Sequence, residues 1–168
     1  MDIQKTCETY VSNTYKRYPV AFVRGEGAHL WDDAGREYVD LGSGIAVNIF
    51  GVADPEWVEA VTGQLRALPH TSNLYYTEPC AHLAEMLCGR TGMKKVFFSN
   101  SGAEANECMI KAARRYGEAA GRYAIVTLKN SFHGRTIATL AATGQDAFHR
   151  HFGPFPDGFA YAQPDDLE

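Results

Sequence analysis

The chain has 168 residues, 45% of them hydrophobic and 21% charged, which is long enough to form a domain with its own core. The formal net charge is −4 and the basic residues are scattered, which excludes the basic surface of a nucleic-acid-binding domain. Apolar runs stay far below the roughly 20 residues of a membrane span, so we expect a soluble, cytoplasmic protein without membrane contact. The four cysteines form no CxxC pair and the six histidines are dispersed, so we expect free thiols and no metal site.

The first part of the chain predicts a short helix and three strands. The helix lies within residues 2–17, and the strands cover residues 20–24, 28–31 and 36–40. The last two strands flank Asp32-Asp33-Ala34-Gly35, a sequence typical of a β-turn.

Two amphipathic helices are expected after a glycine-rich loop at residues 40–51. Asp54-Pro55 provides an N-cap residue and a first-turn proline for one helix, and Thr77-Glu78-Pro79 begins the other. Apolar residues recur at helical spacing and predict a buried face on each helix: Val58, Val61, Leu65 and Leu68, then Leu83, Met86 and Leu87.

Strands and helices alternate in the second part of the chain. Strands are expected over residues 94–99 and 123–128, helices over residues 101–116 and 134–142, and a further strand over residues 159–162. This order implies a parallel, right-handed α/β layer.

The segment from Phe97 to Glu107 predicts a phosphate site at the start of a helix. Ser101 and Glu104 form the Ser-x-x-Glu pattern of a capping box, which is also a sufficient structural reason for both residues. Gly102 and Ala103 are small enough to let a ligand reach the unpaired backbone amides of a helix start. The Walker pattern and a complete GxGxxG are absent, which argues against nucleoside triphosphates and dinucleotides.

A second segment, residues 131–136, follows the next expected strand. Taken alone, Phe132 is typical of a core aromatic residue and His133 of a surface histidine. Arg135, beside Gly134 and near the phosphate site, can instead bind a carboxylate with both arms of its guanidinium. The two segments together indicate an anionic cofactor with a flat ring and a substrate that carries a carboxylate.

Seven blocks in order along nearly the whole chain carry a family resemblance. They are Tyr18-Pro19-Val20, Arg24-Gly25-Glu26-Gly27, Leu30-Trp31-Asp32, Gly44-Ile45-Ala46-Val47-Asn48, and residues 72–79, 96–105 and 131–136. With these blocks the chain resembles the N-terminal part of a class III, pyridoxal-phosphate-dependent aminotransferase. The blocks at residues 72–77 and 132–136 favour the acetylornithine branch over the ornithine and γ-aminobutyrate branches.

The resemblance implies an α/β structure, the type I fold of pyridoxal-phosphate-dependent transferases, with a mostly parallel sheet. Residues 1–72 would form an N-terminal segment of helix, small antiparallel strands and helix. Residues 73–168 would form the first part of the large cofactor domain, incomplete in this chain. The full-length protein would be a homodimer.

The resemblance also implies roles for individual residues. Cofactor binding falls to Ser101, Gly102, Ala103, Phe132 and His133, and substrate binding to Arg135. The first three would hold the phosphate of pyridoxal 5'-phosphate, Phe132 would stack on its ring, and Arg135 would bind the substrate α-carboxylate.

Two departures from the family pattern limit these assignments. The family's Gly-His-x-His-Pro is replaced here by Gly51-Val52-Ala53-Asp54-Pro55. No lysine of this chain has the sequence context of the family's Schiff-base lysine, so no catalytic residue is assigned. The lysine and the carboxylate that pairs with the pyridine nitrogen are expected beyond residue 168.

The implied reaction moves the amino group of N-acetylornithine to 2-oxoglutarate in arginine biosynthesis. Ornithine, 4-aminobutyrate and succinyl-diaminopimelate remain alternative amino donors. A third possibility is a non-catalytic fragment that acts only in assembly or binding. The chain alone is expected to be inactive, and to self-associate or pair with a complementing fragment because its sheet edge and apolar faces would be uncovered.

Overall fold

The computed structural model describes residues 1–165, so the last three residues of the predicted second segment lie outside the described part. The chain divides into two compact units, Met1–Tyr76 and the part that begins at Thr77. Among residues 1–165, none of the helices combines the length and the hydrophobicity that a membrane-spanning segment needs.

The first unit begins with a helix and a three-stranded antiparallel sheet. Helix α1 spans Ile3–Tyr10 and is followed by strands β1 (Phe22–Glu26), β2 (His29–Asp32) and β3 (Glu37–Val39), with β2 in the centre. The predicted strands are confirmed with shifted boundaries. The helix is shorter than the predicted region because the cap at Val11 is already extended.

The turn between β2 and β3 is held by one carboxylate. The N–H of Gly35 donates to the carbonyl of Asp32 at 3.0 Å, which confirms the predicted β-turn. Asp32 Oδ1 accepts the main-chain N–H groups of Ala34 at 3.0 Å and Arg36 at 2.8 Å, and Tyr38 donates to Oδ2 at 2.9 Å. The hydrogen bond from Arg36, helped by those from Tyr38 and Ala34, lowers the pKa of Asp32 below its ordinary value.

Next come α2 (Ser43–Ala46), a single turn in which every φ is positive, and the helices α3 (Pro55–Ala67) and, in the second unit, α4 (Glu78–Thr91). Asp54 caps α3, as predicted, by accepting the N–H of Trp57 at 2.8 Å. The predicted burial of the apolar faces is wrong, because no residue of α3 or α4 is buried. Within the described residues neither helix packs closely against another element of its own unit, so nothing removes these side chains from water.

The second unit contains two of its three predicted strands, and these two pair in parallel. Its remaining elements are α5 (Gly102–Gly117), a 3-10 turn (Glu118–Ala120), β4 (Ile125–Leu128), α6 (Ile137–Ala142), α7 (Asp146–His149) and β5 (Phe159–Ala162). Strands β4 and β5 pair in parallel over their whole length. Helix α6 packs between this pair and α5 and provides most of the small core, which includes the fully buried Thr139 and Thr143.

The strand predicted over residues 94–99 is wrong. These residues pair with no strand in the described part of the chain. Phe97 and Phe98 accordingly stay 64% and 41% exposed. An apolar, β-prone run forms a strand only where a second strand supplies the other half of its hydrogen bonds.

Candidate functional site

The N-terminus of α5 is capped by the two residues that the sequence singles out. Ser101 Oγ accepts the N–H of Glu104 at 3.2 Å. The carboxylate of Glu104 accepts the N–H of Asn100 at 2.6 Å, one residue before the cap rather than at the cap itself. The cap therefore fixes the helix start and leaves the next two amides without an acceptor.

The amides of Gly102 and Ala103 are left without an acceptor at the start of α5. Among residues 1–165 neither N–H group donates a hydrogen bond. A Cβ built on Gly102 would meet no atom within 4 Å, so the space beside the helix start is accessible to a ligand. Two free amides at the positive end of a 16-residue helix fit a phosphate group.

The loop after β4 is tied at its beginning to the residues after α6. The N–H of Asn130 donates to the carbonyl of Gly144 at 2.7 Å, and the N–H of Gly144 donates to Ser131 Oγ at 3.2 Å. Gln145 Nε2 donates to the carbonyl of Ser131 at 3.0 Å. These bonds fix the position from which the Phe132–Thr136 segment departs.

The middle of the same loop is held between α5 and α6. The N–H of His133 donates to Thr143 Oγ1 at 3.0 Å, on the α6 side. The carbonyl of His133 accepts Asn106 Nδ2 at 2.8 Å, on the α5 side. The hydroxyl of Thr136, which also caps α6, donates to Glu107 Oε1. Both main-chain groups of His133 are thus occupied by the anchoring of the loop.

Gly134 brings the two predicted segments into direct contact. Its φ is +129°, and a Cβ built on it would lie 2.7 Å from Ala103 Cβ and 2.6 Å from Thr139 Oγ1. Only a residue without a side chain can pack this closely. The loop that carries Arg135 therefore lies against the first turn of α5.

Three side chains meet beside this contact. The guanidinium of Arg135 lies 5.2 Å from the ring centre of Phe148 and 6.0 Å from that of Phe132. The two rings lie 5.9 Å apart, edge to face. Phe132 is 54% exposed, so its ring is accessible to a flat ligand. Sequence reasoning missed Phe148, whose closeness to Arg135 follows from the turn after α6.

His133 also lines a cavity of about 150 Å³ between α5 and β4. The other lining residues are mainly apolar and include Met109, Ile110 and Ile125.

Strand β5 supports the far side of α6. The hydroxyl of Tyr161 donates to the carbonyl of Ala141 in that helix. Burial raises the pKa of Tyr161 above its ordinary value, with a smaller contribution from the negative charge of Asp146. The phenol therefore stays protonated and keeps this hydrogen bond over the neutral pH range.

Comparison with known proteins places these motifs in one family. The family described as Aminotransferase class-III matches residues 10–168. Acetylornithine aminotransferase of Haemophilus ducreyi is 52% identical over 168 residues, which cover 98% of this chain and 43% of that protein. The protein of the same name from Wolinella succinogenes is 52% identical over 159 residues, covering 92% of this chain and 40% of that protein. The chain thus spans about two fifths of the length of these relatives.

Solved structures agree with the predicted fold class. The ornithine aminotransferase of Toxoplasma gondii matches with a TM-score of 0.90 and 27% identity, over 97% of this chain and 40% of that one. An omega transaminase from Pseudomonas jessenii, solved in complex with PMP, matches with a TM-score of 0.86 and 28% identity, over 97% and 39%. The expected α/β fold of the pyridoxal-phosphate-dependent transferases is confirmed.

Proposed function

Since the chain belongs to the class-III aminotransferase family, we propose that it supplies the cofactor-phosphate and substrate-carboxylate sites of an acetylornithine aminotransferase. The observation that carries this proposal is the packing of Gly134 against Ala103. This contact brings an open helix start and an arginine-bearing loop to one place, as binding of an anionic cofactor and a carboxylate substrate together requires.

The residues at the start of α5 suit pyridoxal 5'-phosphate. The amides of Gly102 and Ala103 and the hydroxyl hydrogen of Ser101 provide three donors for its phosphate. The exposed ring of Phe132 offers a stacking face for the pyridine ring, and His133 holds that segment through its main-chain bonds. When bound, the cofactor supplies the electron sink for transamination.

Arg135 is the proposed site for the substrate α-carboxylate. A guanidinium binds a carboxylate through two parallel hydrogen bonds, which fixes its direction as well as its position. Arg135 would bind N-acetylornithine first and 2-oxoglutarate second, because both carry an α-carboxylate. Its neighbours Phe132 and Phe148 restrict the guanidinium before a substrate arrives.

The names of the similar proteins support N-acetylornithine as amino donor and a place in arginine biosynthesis. The second candidate is ornithine, which the likeness to the ornithine aminotransferase of Toxoplasma gondii favours. We further propose that the whole protein is a cytoplasmic homodimer. The exposed apolar side chains of α3 and α4 support the homodimer, because a second copy could cover them. The four unpaired cysteines support the cytoplasm, which is a reducing compartment.

The test uses the protein expressed from its complete reading frame, called the full-length protein below. Purified with pyridoxal phosphate, it should absorb at long wavelength, and N-acetylornithine should bleach this band faster than ornithine or 4-aminobutyrate. Glutamate should form when 2-oxoglutarate is added. Faster bleaching by ornithine would support the second candidate, and a protein that never acquires the band would refute an aminotransferase. Arg135→Lys should keep the band and raise the KM of both substrates.

A further inference from the structure

We propose that Asn106 and Glu107 are positioning residues that hold the carboxylate-binding loop at a fixed place relative to the phosphate-binding end of α5. The inference rests on the proposed function. It concerns two residues to which the proposed function gives no contact with cofactor or substrate, and which would act through His133 and Thr136.

Three contacts in a row join the loop to one face of the helix. Ala103, Asn106 and Glu107 are three and four residues apart, which places them on the same face of α5. Ala103 packs against Gly134, Asn106 donates to the carbonyl of His133 at 2.8 Å, and Glu107 accepts the hydroxyl of Thr136.

The contacts lie on both sides of Arg135, the proposed carboxylate-binding residue. His133 lies two residues before Arg135, and Thr136 lies immediately after it. The main chain is therefore fixed to α5 on both sides of Arg135, and Phe132 lies just outside the first anchor. Any change in these anchors moves the guanidinium and the aromatic ring relative to the amides of Gly102 and Ala103.

Helix formation does not explain the side chain of Asn106. Asparagine is a poor residue for a helix interior, since it competes for backbone hydrogen bonds, and alanine would serve the helix better. The side-chain amide of Asn106 instead donates a hydrogen bond to the carbonyl of His133, which is 27 residues away in sequence. The bond from Thr136 to Glu107 spans 29 residues and has a carboxylate acceptor.

Loss of one anchor should displace the loop without unfolding it. The N–H of His133 stays bonded to Thr143, and Ser131 stays bonded to Gly144 and Gln145. The loop therefore keeps its attachment to the α6 side and loses one of its three contacts with α5. This separates a positioning role from a purely structural one.

The experiment compares two matched pairs in the full-length protein. Asn106→Asp keeps the size of the side chain and removes the donor, while Lys111→Ala changes an exposed residue of the same helix. Glu107→Ala removes the acceptor of Thr136, while Glu107→Gln retains one. Asn106→Asp and Glu107→Ala should raise the KM of the amino donor and of 2-oxoglutarate by about tenfold, the loss that corresponds to one aligned hydrogen bond. Glu107→Gln and Lys111→Ala should have KM values close to those of the parent protein.

A readout independent of activity completes the test. Hydrogen exchange of the backbone amides in residues 131–136 should be faster in Asn106→Asp than in Lys111→Ala, with or without cofactor. The proposal is overturned if exchange and KM are unchanged, if only the melting temperature falls, or if Glu107→Gln behaves like Glu107→Ala. If the parent protein binds no pyridoxal phosphate, the proposed function fails, and exchange alone decides whether the anchors exist.

Discussion

Replacing Gly134 by alanine would test the contact that joins the two halves of the site. The new methyl group would lie 2.7 Å from Ala103 Cβ, 3.0 Å from Ala103 Cα and 2.6 Å from Thr139 Oγ1. None of these atoms is the end of a flexible side chain that can turn away. Ala103 belongs to the first turn of α5, and Thr139 is fully buried in α6.

The expected loss of stability in Gly134→Ala has two sources, backbone strain and steric overlap. A side chain at a φ of +129°, where glycine is favoured, costs roughly 1–3 kcal/mol. Forcing a methyl group into a closely packed contact costs typically about 1–3 kcal/mol. One movement of the loop away from α5 relieves part of both, so we expect a loss of about 2–4 kcal/mol in the free energy of unfolding.

The assay is denaturant unfolding of the full-length protein, with Gly89→Ala as the matched control. Gly89 lies within α4, and a Cβ there meets no atom within 4 Å. The free energy of unfolding of the control should rise by up to about 1 kcal/mol, because alanine favours a helix more than glycine does. Gly134→Ala should also weaken the binding of pyridoxal phosphate at temperatures where the protein is folded. A Gly134→Ala protein as stable as the parent, with unchanged cofactor affinity, would refute the described packing of the loop on α5.

Three further outcomes are expected. Phe148→Leu should weaken the orientation of Arg135 and raise substrate KM by about two- to fivefold, the equivalent of roughly 0.5–1 kcal/mol of cation–π attraction; steady-state kinetics measure this, and an unchanged KM would contradict it. Asp54→Ala should remove the acceptor of the Trp57 N–H and destabilise α3 by about 1 kcal/mol, measured by unfolding, whereas Asp54→Ser should retain most of the stability. Asp32 has a lowered pKa, so its contribution to stability is complete above its unfolded value and is lost as the pH falls through the folded value. Its carboxyl resonance should accordingly titrate with a midpoint below 3.8, and a midpoint above 3.8 would contradict the turn geometry.

Sequence reasoning succeeded where the physical cause lies within a few residues. The cap of α3 depends on Asp54 and the next three residues, and the turn between β2 and β3 depends on Asp32 and the next four. Both are local hydrogen-bond patterns that the same short sequence would favour in many proteins. The start of α5 at Ser101 was predictable for the same reason.

Sequence reasoning failed where the structure of one segment depends on a second segment that packs or pairs with it. The run at residues 94–99 has the composition of a strand, yet composition does not supply the second strand of a ladder. The apolar periodicity of α3 and α4 correctly indicated helices but not burial, since burial requires another surface against the same face.

The site shows the same division within a single motif. Ser101, Gly102 and Ala103 could be proposed from the sequence because a helix start has free amides in any context. Asn106 and Glu107 lie one turn further along the helix. The sequence did not single them out, because their hydrogen-bond partners lie 27 and 29 residues away. In the proposed site, the first turn of α5 would present its amides to the cofactor phosphate, and the second turn would fix the loop that faces the same ligand. Binding and alignment would then depend on one helix, so a substitution in its second turn should alter the site without touching the ligand.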